Sequence, residues 1–436
     1  MSPMLKALER GDLAGVRELN LAGCGLAEFP RDIFGLAETL EVLDLSGNAL
    51  TRLPDDLARL GKLRVLFCSG NRFEHLPPAL GDCLSLSQVG FRRAGVREVP
   101  SESLPPQLRW LTLTDNEIEH LPAALGERHA LQKVMLAGNR LTRLPDSLAG
   151  APKLELLRFA ANRFEALPGW LSDLPALAWL AWSGNPLDRS LAAPPAAPAV
   201  QWSHIQPGRL LGEGASGLVH EATWRDTSDA PARPVALKLF KGAMTSDGLP
   251  EREMAASLAA GDHVNLVGAL GQVVGHPDGA DGLVMPLLPA GWRVLAGPPS
   301  LESCSRDVYA PDLRLNLHVA LRIAGGMAAA VAHLHDRGLN HGDLYAHNIL
   351  WDGAEGASAL SDFGGASFLP LDEAGLALQR LEVRAYGLLL GELLALCAAP
   401  PAALRALQAA CVQPTPGARP LMTDVVAALG SNAATA

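Results

Sequence analysis

A template of the form L-x-x-L-x-L-x-x-N runs through the first half of this chain. It appears as Leu40-Leu43-Leu45-Asn48, Leu108-Leu111-Leu113-Asn116, Leu131-Val134-Leu136-Asn139, Leu154-Leu157-Phe159-Asn162 and Leu177-Leu180-Trp182-Asn185. Three weaker copies, at Val16-Leu19-Leu21-Cys24, Leu63-Leu66-Cys68-Asn71 and Leu86-Val89-Phe91-Ala94, hold the same register. The last template position therefore recurs every 22–24 residues from 24 to 185, and a proline follows it six residues later at Pro30, Pro54, Pro77, Pro100, Pro122, Pro145 and Pro168. In the eighth copy that place is Leu191, as expected where an array ends. A fixed period of this length implies units too small to bury an apolar face alone, so neighbours must stack and share one continuous core.

These copies resemble the leucine-rich repeat family in its L-P-x-x-L variety, which implies an α/β solenoid with one short strand per repeat. The Asn side chain has an acceptor and two donors for backbone groups buried by the turn. Ala94 lacks them, so the fourth repeat is expected to be looser by about 0.5–1.5 kcal/mol per lost bond. Alternation along the strands points a second set of side chains to the concave face: Val42, Val65, Gln88, Trp110, Lys133, Leu156 and Trp179. Apolar residues on a nominally wet face imply a protein partner, substrate or regulator, with Trp110 and Trp179 as anchors. The competing expectation is that they are ordinary surface residues or pack against this chain's own second half.

Composition narrows the remaining classes. Of 436 residues 48 % are hydrophobic and 19 % charged, which describes a folded chain, and a net charge of −10 speaks against nucleic acid as a partner. Six scattered cysteines with no metal-like spacing are expected to be reduced thiols. The N-terminal residues have no apolar signal-peptide core, and the longest apolar run, residues 319–334, is interrupted by Arg322 and His333, so no membrane span is expected. The location expected is cytoplasmic, with delivery into a host cell left open. The preference for Arg over Lys and the abundance of Ala, Gly and Pro point to a high-GC bacterial genome.

A Pro/Ala-rich stretch beginning at Leu191 reads as a semi-rigid spacer. Beyond it stands Leu211-Gly212-Glu213-Gly214-Ala215-Ser216-Gly217-Leu218-Val219. The glycine spacing alone is a weak signal, but strand-forming Leu218 and Val219 follow the last glycine, which suits a strand–turn–strand cover over phosphates. Val235-Ala236-Leu237-Lys238 then reads as an apolar strand carrying one of only two lysines beyond residue 200. A lysine buried there needs an anion, and Glu253 in a helix-like run is its natural partner, with Glu251 second. Farther on, His341-Gly342-Asp343-Leu344 leads to Asn348, and Asp362-Phe363-Gly364 follows. That spacing gathers a base and two hard oxygen donors, the kind Mg²⁺ takes alongside phosphate and water.

In this order the motifs resemble the eukaryotic-type protein kinase family over residues 205–430, and Arg419 falls near that fold's last conserved arginine. The resemblance implies a two-lobed α+β domain using ATP and Mg²⁺, most readily a Ser/Thr kinase. By residue it implies that the turn from Leu211 through Gly212, Glu213, Gly214, Ala215, Ser216 and Gly217 to Val219 covers the nucleotide. Lys238, paired with Glu253, would grip phosphate, Ala236 and Leu350 would enclose adenine, and residues 285–288 would supply the hinge. Asp343 would take the hydroxyl proton, and Asn348 and Asp362 would hold Mg²⁺. His341 is expected to be structural.

Three departures qualify the resemblance. Gly342 replaces the arginine that pairs with a phosphorylated activation loop. Tyr345 and His347 stand where Ser/Thr and Tyr kinases carry Lys and Arg. The stretch from Asp362 to Glu382 has no A-P-E, so Arg419 loses its usual partner, for which Glu382 or Glu392 is the expected substitute. H-G-D-L-x-x-x-N also occurs in aminoglycoside- and choline-type small-molecule kinases, and a nucleotide-binding pseudokinase scaffold is the non-enzymatic alternative. The organisation read from sequence is thus a repeat solenoid over 1–190, a linker over 191–204, a kinase-like domain over 205–430 and a disordered tail over 431–436.

Overall fold

The computed structural model describes residues 2–190, 198–214, 216–227, 230–242, 244–245 and 248–433. The chain divides into two compact units, Met1–Leu174 and Pro175–Ala436. In the first, a short helix α1 (Pro3–Glu9) precedes seven three-residue strands. They are β1 (Glu18–Asn20), β2 (Val42–Asp44), β3 (Val65–Phe67), β4 (Gln88–Gly90), β5 (Trp110–Thr112), β6 (Lys133–Met135) and β7 (Leu156–Arg158). Each pairs in parallel with the next, and the template positions align from strand to strand: Leu43 lies beside Leu66, Val89 beside Leu111. Prolines open the 3₁₀ turns that return the chain, and the template leucines are fully buried.

The ladder asparagines do what the template requires. Asn139 accepts a hydrogen bond from Ile118 N and donates to the carbonyls of Leu113 and Leu136, one in the preceding repeat and one in its own. Each such carbonyl therefore receives two amides, as Leu45 O does from Asn48 and Asn71. This redundancy corrects the expectation of a loose fourth repeat. Opposite Ala94, Cys68 O keeps the amide of Asn71 and Phe91 O that of Asn116, while Phe73 N donates to Ala94 O at 2.7 Å. The missing side chain leaves none of these groups unpaired. The residue before each ladder position is left-handed in every copy, with φ between 49° and 80° at Gly23, Gly47, Gly70, Arg93, Asp115, Gly138, Ala161 and Gly184. Glycine fills five of these places because it takes that conformation without a Cβ penalty.

The second unit starts with the eighth repeat copy rather than after it. Its strand β8 (Trp179–Ala181) and the turn Pro186–Ser190 lie within Pro175–Ala436, so the repeat pattern read over 1–190 runs past the end of the first compact unit. The stretch read as linker also contributes structure: residues 191–197 lie outside the described residues, but β9 (Ala199–Gln201) pairs in parallel with β13 (Gly271–Val274). Val200 enters the sheet core with Ile205, Leu237, Val273 and Val284, and that burial is why it is not free chain. Four antiparallel neighbours complete this six-stranded sheet in the order β10-β11-β12-β14-β13-β9, with β10 (Ile205–Glu213), β11 (Gly217–Trp224), β12 (Arg233–Phe240) and β14 (Gly282–Pro286). Helix α2 (Pro250–Ala260) packs on it through Met254, against Phe240 and Leu283.

The remainder is helical around two small sheets. One contains β15 (Arg293–Val294), β17 (Ile349–Trp351) and β18 (Ser358–Leu360), the other β16 (Leu339–Asn340) and β19 (Ser367–Phe368). Helix α3 (Leu317–Asp336) is long and apolar enough to cross a bilayer by composition alone, yet Val319, Ile323, Met327, Val331 and Leu334 are buried in the unit. It is a core helix. Helices α4 (Glu373–Ala395), α5 (Ala402–Cys411) and α6 (Met422–Ala433) follow. Residues 431–433, expected to be tail, continue α6; the last three lie outside the described residues.

Candidate active site

The glycine-rich segment is a strand, a turn and a strand. Gly212 pairs with Val219 across β10 and β11, and Gly214 N donates to Gly217 O at 2.9 Å to close the turn. Gly217 is required sterically: a Cβ there would meet Leu239 O at 2.3 Å. The turn roofs a cleft of about 650 Å³. Leu211, Gly212, Gly214, Ser216, Gly217, Val219, Ala236, Lys238, Glu253, Leu350 and Asp362 line it, together with residues 285–288. Glu213 is not among the lining residues but pairs with Lys241 at the exposed rim. Ala215 lies outside the described residues.

Polar groups converge at one end of the cleft. Lys238 projects from β12 to an ion pair with Glu253 of α2, both nearly buried. Glu251 remains outside and exposed. Burial pushes the Glu253 carboxyl up to about 7; the Lys238 ammonium opposes this and the nearby Asp362 carboxylate adds to it. Asp343 and Asn348 are not among the residues that line the cleft; in the loop that holds them, Asn348 Nδ2 donates to both the carbonyl and Oδ2 of Asp343 at 2.9 Å. The amide nitrogen being engaged there, the side-chain oxygen is the atom Asn348 has for a cation. Ser361 ties the two motifs together, its N–H and hydroxyl both donating to Asn348 O, which places Asp362 beside that loop. Asp362 has φ +65°, a left-handed conformation that a non-glycine residue holds only when its surroundings enforce it.

The loop is braced from below. His341 is fully buried, its ring 5.2 Å from that of Phe363, and burial holds its pKa below the usual value despite nearby carboxylates. Glu382 on α4 accepts hydrogen bonds from His335 Nε2 and Gly342 N at 2.8 Å and from His341 N at 3.3 Å. Burial would raise Glu382, but the bond from His335 and the neighbouring positive charge outweigh it, leaving the carboxyl below the ordinary carboxylate range. Glu382 is therefore committed to the catalytic loop. Glu392 is committed to Arg306 and Tyr309. Neither compensates Arg419, contrary to expectation: the buried Arg419 guanidinium donates to the carbonyls of Gln413, Arg380 and Pro175, and burial next to Arg384 lowers it to about 10.

One part of this site was not foreseen, and another decides between the two expectations for the concave tryptophans. The His347 ring meets Asp307 Oδ1 at 2.7 Å, fixing the residue four beyond Asp343. And Trp179, expected as a partner anchor, is 1 % exposed, stacked on Tyr345 with ring centroids 4.2 Å apart and planes 7° from parallel. It is unavailable to another protein because this chain's own loop covers it. Trp110 is different: half-buried on β5, with the Lys133 ammonium 4.1 Å over its ring.

Comparison with known proteins agrees with this arrangement. Residues 205–376 match the family model for protein tyrosine and serine/threonine kinases, and residues 14–73 and 129–187 match that for leucine-rich repeats. The chain thus joins leucine-rich repeats to a protein kinase domain. Among curated relatives, it is 33 % identical over 175 residues to a CBL-interacting protein kinase 22 of Oryza sativa, covering 38 % of this chain and 37 % of that one. It is 27 % identical over 169 residues to the probable serine/threonine-protein kinase gdt4 of Dictyostelium discoideum, covering 38 % of this chain and 9 % of that one. Over 156 residues it is 31 % identical to the probable inactive leucine-rich repeat receptor kinase XIAO of Oryza sativa, covering 36 % and 13 %. The matched segments span 9–37 % of the relatives' lengths.

Proposed function

We propose that this chain is an active Ser/Thr protein kinase whose repeats recruit a protein substrate or regulator. One observation carries the reading: the Lys238–Glu253 ion pair and Asp362 line a single cleft, and Ser361, beside Asp362, bonds to Asn348 O of the loop that holds the Asp343–Asn348 pair. The cleft suits ATP in shape and chemistry. Apolar Val219, Ala236, Met285 and Leu350 line it for a base, and Gly217 lets β11 lie close against Leu239 of β12 beside it. The oxygen donors of Asn348 and Asp362 suit Mg²⁺, which takes its remaining ligands from phosphate and water. When bound, Mg²⁺–ATP supplies the phosphoryl group and the neutralising charge.

The chain's residues divide the rest of the work. Lys238, held in place by Glu253, presents its ammonium to the phosphates. Asp343, steadied by Asn348, orients the incoming hydroxyl and takes its proton. Retention of all these groups supports an enzyme over a scaffold, and the repeats favour a protein acceptor over a small alcohol. The Ser/Thr preference draws on the one relative named as a probable serine/threonine-protein kinase. Cytoplasmic action remains part of the proposal. The test is label transfer from ATP with Mg²⁺ to generic proteins, beside a panel of small alcohols and aminoglycosides, followed by phosphoamino-acid analysis. Phosphoserine or phosphothreonine is expected; label on a small alcohol alone, or none anywhere, overturns it.

A further inference from the structure

The repeat copy that ends the array is built into the catalytic unit. Trp179 Nε1 donates to the carbonyl of Leu344, the residue after Asp343, at 3.0 Å, while its ring stacks on Tyr345. Asn340 Nδ2 donates to Leu180 O at 3.2 Å, and Trp182 N donates to Ser367 Oγ at 3.1 Å on the short segment following Asp362. Gly342 explains itself here: with φ +69°, a Cβ would lie 2.3 Å from Gly365 O and 2.7 Å from Leu180 O. The same copy reaches α2, where Asp188 faces Arg252 at 3.5 Å, one residue from Glu253. From Asp362 only about ten residues lead to the cap of α4 at Asp372, too few for a loop that could be ordered by phosphorylation.

Resting on the kinase reading, we infer that residues 175–188 are a built-in strut that orders the catalytic loop and steadies α2, with Trp179 as a positioning residue for Asp343. The work is done by burial and hydrogen bonds already in place. An arginine at 342 has no room, and no phosphate is needed to order the loop. Trp179 and Trp182 are at most 1 % exposed, which marks the segment as core and not as a removable cover.

Hydrogen exchange and steady-state kinetics on the full chain test this. Trp179→Ala is expected to raise exchange over residues 339–349 at least about tenfold and to lower kcat by a similar factor, with KM for ATP within about twofold. Trp179→Phe keeps the stack and loses the bond to Leu344 O, so its kcat should fall by only about fivefold. That milder variant carries the test if the alanine form does not fold. Asp188→Asn is expected to raise exchange over residues 250–260 and leave 339–349 alone; no change there removes α2 from the strut. Unchanged exchange over 339–349 in both tryptophan variants overturns the proposal, and so does a rise in kcat, which would make the segment a plug. Because exchange is read without turnover, a wild-type chain that transfers no phosphoryl group sinks the kinase reading while the strut is still measured.

Discussion

The repeat unit and the catalytic unit are stabilised in opposite ways. In the repeats, ladder carbonyls such as Leu45 O accept from two asparagines, and those beside Ala94 keep one, so one absent side chain is absorbed locally. In the second unit, Lys238 of β12, Glu253 of α2 and Asp362 after β18 each line the cleft once, and Ser361 links them to the loop after β16. Periodic contacts share a load; convergent contacts do not. Losses in the first region should therefore be graded, and losses in the second close to all-or-none for function with little effect on folding.

The sharpest way to break that contrast is Asp343→Asn, which is expected to lower phosphoryl transfer by about 10²–10⁴-fold with thermal stability nearly unchanged. Equal activity in that variant would place the proton acceptor elsewhere. A pH series comes next. Glu253 is neutral below and charged above about 7, so kcat/KM should fall about tenfold per unit below that point and flatten in Glu253→Gln. The same shift runs against folding: a carboxyl raised above its unfolded value favours the fold while protonated, and that contribution is lost as pH rises through about 7. Activity and this part of stability should thus move in opposite directions across neutral pH.

Smaller effects belong to the repeats. Asn139→Ala removes the acceptor for Ile118 N and two donated bonds, and is expected to destabilise by about 1–3 kcal/mol in denaturant titration. Ala94→Asn, which restores the template, should gain no more than about 0.5 kcal/mol, since its neighbours are already bonded. Ala161→Gly relieves a left-handed alanine and is expected to stabilise by about 0.5–1 kcal/mol. A large gain at Ala94 would show that the ladder is not redundant.

Much of this was legible beforehand. Strand positions, the ladder role of asparagine, the strand–turn–strand over the cleft and the Lys238–Glu253 pair all follow from spacing, because each rests on contacts between residues close in the chain or on a motif read as a whole. Four things were not. Arg419 ends on three carbonyls and no carboxylate, Glu382 on the backbone of the catalytic loop, and Val200 in a sheet core. Trp179, whose repeat position left open a partner anchor or a contact with this chain's own second half, is sealed against Tyr345.

The linear pattern by itself determined that eight copies of one unit precede a phosphate-handling centre, since periodicity and local spacing need no knowledge of what folds back on what. Only the tertiary structure decided where one unit ends and the next begins. The eighth copy keeps the repeat register, with Trp182 at a template leucine position, yet it belongs to the second unit. Its partners lie about 165 residues away, and no local rule encodes a contact whose free energy comes from burying two distant apolar surfaces against each other.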